Sequence, residues 1–221
     1  MSNLCCTEVT FYSTDQKELG RFRFFLEALY NECSQNGILI KMNDKARIEH
    51  NCTYFIMQDA LNIPSEKQVG GRGEIVDIRK IEHDEYGLYH FIVDMDDANE
   101  AHPECFQNIL DWRFADIGFS YLAIENSNGY AVVHDDIGYY PQRYFVSGEI
   151  CSCDPKILNG DSLYNLFNSE DECKEFVKEL VHQVSGVVIS TAGSLSKVEK
   201  DANECVEDGG DIINIYNITT V

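Results

Sequence analysis

Cys6-Thr-Glu-Val-Thr-Phe-Tyr-Ser13 is the stretch on which the fold turns. Its side chains alternate in character, and its Thr and Val residues are β-branched, which suits a half-buried strand. Ser13, Thr14 and Asp15 follow, each able to cap a helix. Leu19, Phe22, Leu26, Leu29 and Cys33 then recur three or four positions apart, with Phe25 beside them, while Lys17, Arg21, Arg23 and Glu27 fill the other faces. That pattern predicts an amphipathic helix packed on a sheet. Asn36-Gly37 ends it, and Ile38-Leu-Ile-Lys-Met42 reads as a second short strand.

Outward from this unit the signals alternate between helix and strand. Tyr54 to Leu61 reads as a short helix stopped before Pro64. Gly70-Gly-Arg-Gly73 separates it from Glu74 to Glu82, which pairs with Gly87 to Asp94 as a hairpin across His83-Asp-Glu-Tyr86. His102 to Phe114 reads as a helix with Pro103 at its first position and Phe106, Ile109, Leu110 and Trp112 in reach of a core. Three strands follow, Phe119 to Glu125, Tyr130 to His134 and Arg143 to Ser147, the first two joined by the turn Asn126-Ser-Asn-Gly129. The order predicts an α+β protein, an antiparallel sheet with helices on one face.

The texture changes near Asp154. Ser169-Glu-Asp-Glu172 is a capping box, with Cys173, Phe176, Val177, Leu180, Val181 and Val184 as the apolar stripe of its helix. Val187 to Ser190 reads as a strand. A polar, acidic stretch from Lys197 to Asp211 leads to a final strand, Ile212 to Ile218. The predicted organisation is an α+β domain over 1–150 and a C-terminal α/β extension over 151–221 packed on it.

Charge decides which partners are natural. The 221 residues carry 38 acidic and 17 basic side chains, a formal net charge of -21. Such a chain repels nucleic-acid phosphates and anionic lipid, and attracts cations and basic protein surfaces. With 44% hydrophobic residues it has the material for a sizeable core. No apolar run approaches the roughly 20 residues that span a bilayer, and the N-terminus does not read as a signal peptide. Nine irregularly spaced cysteines predict reduced, mostly buried thiols in a cytoplasmic setting.

Reactive motifs are hard to find. Asp94-Met-Asp-Asp-Ala-Asn-Glu100 misses the calcium-loop pattern, because Ala98 and Asn99 occupy its fifth and sixth positions. Neither a His-x-x-x-His pair nor a Cys-x-x-Cys motif occurs. His134-Asp135-Asp136 beside Tyr139 and Tyr140 is the best constellation for a divalent ion, with the tight Cys151-Ser-Cys153 behind it. Gly70-Gly-Arg-Gly73 is too short for a dinucleotide fingerprint. The aromatic run Tyr139-Tyr-Pro-Gln-Arg-Tyr-Phe145 reads as packing, since the surrounding negative charge opposes strand binding.

Two segments resemble a known family. Met1-Ser-Asn-x-Cys5, Val9-Thr-Phe11 and Leu19-x-x-Phe22-x-x-x-Leu26 are similar to the start of a ferredoxin-like domain family of uncharacterised bacteriophage and conjugative-element proteins. Phe119-Ser-Tyr121, Glu125-Asn-Ser-Asn-Gly129 and Gly138-Tyr-Tyr-Pro-Gln-Arg-Tyr144 are similar to its second half. The resemblance implies a ferredoxin-like fold and a mobile-element setting, hence host cytoplasm for a phage-encoded chain. It brings no catalytic residue.

Together these readings predict a non-enzymatic acidic accessory protein, without cofactor, that binds a basic protein partner. A nucleic-acid-binding host protein is the natural target, and inhibition of a defence nuclease by imitation of phosphate charge is the sharpest form of the idea. The candidate contacts are Asp94, Asp96, Asp97, Glu100 and Glu104, with Glu204, Glu207, Asp208 and Asp211 as a second patch. The alternatives are a cation-dependent enzyme or metal-binding protein using His134, Asp135 and Asp136, and a virion or assembly structural protein.

Overall fold

The computed structural model describes residues 4–42, 45–84, 87–98, 100–125, 130–149, 164–206 and 212–221. Five α-helices and twelve strands occur among them, and the fold is α+β. The largest sheet is mixed: most of its described pairings are antiparallel, whereas β8 (Tyr130–His134) and β12 (Thr219–Thr220) run parallel. The chain divides into two compact units, one comprising 1–123 with 134–139 and the other 124–133 with 140–221. Each is discontinuous in sequence, so 124–133 and 140–149 group with the C-terminal residues.

In the first unit, which takes residues 118–123 of β7, the strand path is β7-β1-β6-β4, with β5 also on β6. These are β1 (Leu4–Ser13), β4 (Gly73–Ile78), β5 (Glu82–His83), β6 (Tyr89–Ala98) and β7 (Gly118–Glu125). β1 and β6 are antiparallel over ten residue pairs, from Leu4 opposite Ala98 to Ser13 opposite Tyr89. β4 joins the other edge of β6, with a bulge at Val76. Alternation sends Cys5, Thr7, Val9 and Phe11 of β1, and Phe91, Val93, Met95 and Asp97 of β6, to one buried face.

Helices α1 (Gln16–Asn36) and α3 (Pro103–Arg113) cover that face. Phe22 of α1 meets Phe11 edge-to-face at 4.9 Å, and Phe106 of α3 meets the same ring at 5.0 Å. Such pairs add about 0.5–1.5 kcal/mol beyond area burial. Asp15 caps α1 by accepting from the amides of Lys17 and Glu18. Gly37 ends the helix at φ 71, a conformation that L side chains resist. Beyond it lie the hairpin β2 (Ile38–Met42) and β3 (Lys45–Glu49), then α2 (Tyr54–Ala60).

The second unit packs α4 (Glu170–Ser185) and α5 (Leu195–Val206) on an antiparallel sheet ordered β10-β9-β11. Those strands are Tyr164–Phe167, Tyr144–Glu149 and Ile212–Asn217. The Ser169–Glu172 capping box is formed, and Gly186 closes α4 in the left-handed region at φ 72. Its core is aliphatic: Val146, Val177, Leu180, Val181, Val198, Ala202, Val206 and Ile213. Asn203 clasps the Ile213 backbone by two 2.8 Å hydrogen bonds, donating to its carbonyl and accepting from its amide.

Several expectations need correction. Val187 to Ser190 is not a strand; Val188 is 65% exposed, and of the three apolar residues only Ile189 enters the α4–α5 core. Lys197 to Val206 lies in α5, whose buried Val198, Ala202 and Val206 are four apart. The strand expected over 74–82 ends at Ile78, and β3 and β10 were missed. Trp112, assigned to the core, is 42% exposed and lies under the Lys67 ammonium. The sheet is mixed, because β12 joins β8 in parallel. Seven described cysteines are free thiols, five of them buried. Among the described residues, no helix is long and apolar enough to cross a membrane.

Candidate functional site

The same alternation that buries Val93 and Met95 turns Asp94 and Asp96 to the opposite face of β6. Glu8 lies opposite Asp94 on β1, and Asp77 opposite it on β4. One step along, Cys6 and Glu74 flank Asp96. Five carboxylates thus stand in two cross-strand rows on one sheet face, where like charges directly opposite each other are unfavourable. Arg79 partly relieves the first row: its Nη2 donates to Glu8 Oε2 and Asp94 Oδ1, both at 2.7 Å. The second row has no described ion pair. Burial raises the Glu74 carboxyl above its usual range, with Asp96 and Glu49 adding to the effect and Asn51 opposing it. Burial likewise raises Asp96.

Asp97 has a different fate. It faces the helices, is 0% exposed, and its Oδ2 accepts a 2.7 Å hydrogen bond from Thr7 Oγ1. Its Oδ1 is buried without a hydrogen-bond partner among the described residues. Burial pushes its carboxyl up to about 6, against the opposing influence of Thr7, Tyr54 and His102. A Cβ at Gly73 would lie 1.9 Å from Asp97 Oδ1 and 2.6 Å from the Tyr54 ring. At Gly71 it would lie 2.6 Å from Cys105 Sγ. Glycine is therefore needed at both places for close approach, with no demand on φ.

The Gly70–Gly73 loop is held firmly. The buried Gln58 side chain donates to the Val69 carbonyl at 2.9 Å and accepts from its amide at 2.8 Å. Asn108 donates to both Gln58 Oε1 and the Lys67 carbonyl. Beside the loop runs a groove of about 510 Å³, lined among others by Leu4, Phe55, Arg72, Glu74 and Asp96. A neighbouring hollow of about 350 Å³ shares Arg47, Thr53, Phe55 and Gly71 with it. Both lie within the first unit.

The expected contacts are thus divided. Asp94 and Asp96 share a face, the first already paired with Arg79. Asp97 offers no surface to a partner. Glu100 is exposed, and Glu104 is exposed with one oxygen 3.4 Å from His102 Nδ1. Glu204 is exposed on α5 near Lys200, while Glu207, Asp208 and Asp211 lie outside the described residues. Sequence reasoning passed over Glu8, Glu74 and Asp77, although their alternation with apolar neighbours was visible. Thr7 and Tyr54 gave no local signal.

The alternative metal constellation is spent on local structure. Asp135 Oδ1 accepts from the amides of Gly138 and Tyr139 at 2.9 and 3.0 Å, closing a turn. His134 Nε2 is 3.5 Å from Asp136 Oδ2, and its ring stacks on Tyr121. Among the described residues, no three His, Cys, Asp or Glu side chains converge as metal ligands. Cys151 and Cys153 lie outside the described residues. In the aromatic run, Tyr139 donates to Asp84 Oδ2 and packs on His90, and Phe145 stacks on Tyr216.

No family model, curated protein or solved structure matches the chain.

Proposed function

We propose that the protein is a non-enzymatic binding module that takes a basic protein partner on the acidic face of its first sheet. The observation that carries this reading is the double row of Glu8, Asp94 and Asp77 beside Asp96 and Glu74. Carboxylates crowded and desolvated in this way gain when a guanidinium or ammonium group arrives between them, which favours fast, salt-sensitive association. The contacts inferred from sequence alone shift accordingly, retaining Asp94 and Asp96 and gaining Glu8, Glu74 and Asp77. A nuclease or other nucleic-acid-binding host protein is the matching class, because its own ligand presents spaced negative charge.

The finer fold belongs to the same proposal. The path β7-β1-β6-β4, with α1 after β1 and α3 after β6, supports a ferredoxin-like βαββαβ core. The mobile-element setting rests on the sequence resemblance alone. Affinity capture from bacterial lysate tests the function, using the native chain beside a Glu8→Gln, Glu74→Gln, Asp96→Asn variant. A basic nucleic-acid-binding protein retained at low salt, released at high salt and missed by the variant is expected. The same proteins on both baits would refute the reading.

A further inference from the structure

We propose that the groove beside Gly70–Gly73 binds a small zwitterion with an apolar side chain, an α-amino acid, with its carboxylate on Arg72 and Arg47 and its ammonium group on Glu74 and Asp96. This inference does not rest on the basic-partner reading.

Charge composition points to the ligand class. The groove carries Arg47 and Arg72 as well as Glu74 and Asp96, so a simple cation or a simple anion would meet charge of its own sign. A molecule with both charges a few ångströms apart answers both. Arg72 has no ion-pair partner among the described residues, in a chain where acids outnumber bases 38 to 17. Its planar guanidinium matches a carboxylate in two-pronged fashion. Arg47 gives one amino group to Glu49 at 2.8 Å and remains largely exposed. Glu74 and Asp96 are partly desolvated and lack a described salt bridge, the state in which an incoming ammonium is most welcome.

Shape and lining agree. About 510 Å³ lies within the range of small-molecule sites, and far exceeds what a single ion needs. Phe55, half-buried, and Leu4, 54% exposed, supply an apolar wall for a side chain. Gln58 and Asn108 fix the glycine loop, so the floor is preorganised. Gly70 lines the adjoining hollow, and nothing lies within 4 Å of where its Cβ would sit. Its backbone is outside the left-handed region, so a side chain there fills space without straining the fold.

Isothermal titration of the full chain with L-phenylalanine, N-acetyl-L-phenylalanine, L-phenylalaninamide and L-leucyl-L-leucine tests the proposal. Saturable binding of L-phenylalanine is expected, weakened about tenfold or more when either charge is blocked. The dipeptide, whose charges are further apart, is expected to bind more weakly than the free amino acid. Arg72→Gln should remove the preference for L-phenylalanine over its amide, a readout that needs no loss of fold. Absence of saturable binding by L-phenylalanine up to about 10 mM would overturn the proposal. So would N-acetyl-L-phenylalanine binding as tightly as the free amino acid. Glu74 and Asp96 belong to both sites, but Arg72→Gln leaves the carboxylate rows intact, so capture of a basic protein by that variant is read separately.

Discussion

The helix-facing side of the first sheet has two unlike ends. At one, Phe11, Phe22, Phe91 and Phe106 interlock with centroids 4.9 to 6.0 Å apart. At the other, four residues along β1 at Thr7 and six along β6 at Asp97, a carboxyl packs against the Tyr54 phenol of α2 and Gly73 of β4 with no room for a methyl group. The first end holds the fold together through apolar burial. The second gives up some of that stability, since a buried carboxylate with an unpartnered oxygen is costly. Polar strain of this kind persists where a site requires it, and the groove and both carboxylate rows adjoin that end.

The contrast is broken most strongly at the aromatic end. Phe11→Ala should lower stability by about 3–5 kcal/mol in urea unfolding, since it removes the ring that both helices share. A loss under 1 kcal/mol would mean that the helices hold without it.

The polar end should respond to pH in a defined direction. Asp97 is raised from 3.8 to about 6, so the folded state binds its proton more tightly than the unfolded chain does. Folding is therefore favoured at low pH relative to an Asp97→Asn variant. That advantage is lost as pH rises from about 4 to about 6, and the total change is on the order of 3 kcal/mol. Urea unfolding of both proteins at pH 4, 5, 6 and 7 measures it. A difference between them that stays constant with pH would contradict the assignment.

Gly73→Ala sharpens the same comparison. Its methyl group collides with Asp97 Oδ1 and the Tyr54 ring, for a loss of about 1–3 kcal/mol. Pairing it with Asp97→Ala should recover part of that loss, because the shorter side chain vacates the contested space. The smallest effect is expected on the outer face. Glu74→Gln should stabilise the chain by a few tenths of a kcal/mol, by removing one member of a like-charged row, and the gain should shrink with added salt.

Much of this arrangement could be read from the residues. Val9 and Phe11 alternate, Leu19, Phe22 and Leu26 follow a helical period, and Asp15 supplies a cap, so β1 and α1 were legible from local rules. Helix α5 was not, because its three buried residues are spread among charged ones and its N-terminal signal is weak. Val187-Val-Ile189 misled for the opposite reason: a β-branched run without an adjacent strand edge remains a loop. At the site, the acidic run of β6 was visible as composition. Its division into an outward pair and an inward Asp97 depended on the strand continuing to Ala98, and the partners of Asp97 come from β1, α2 and β4, distant in sequence.

Carbon-detected NMR titration of the Asp and Glu carboxyls tests the account most directly. Asp97 should titrate near 6, with Asp96 and Glu74 both above their ordinary values. All three titrating at or below the values of freely solvated side chains would show that this end of the sheet is an ordinary wet surface, and the site inferred there would fall with it.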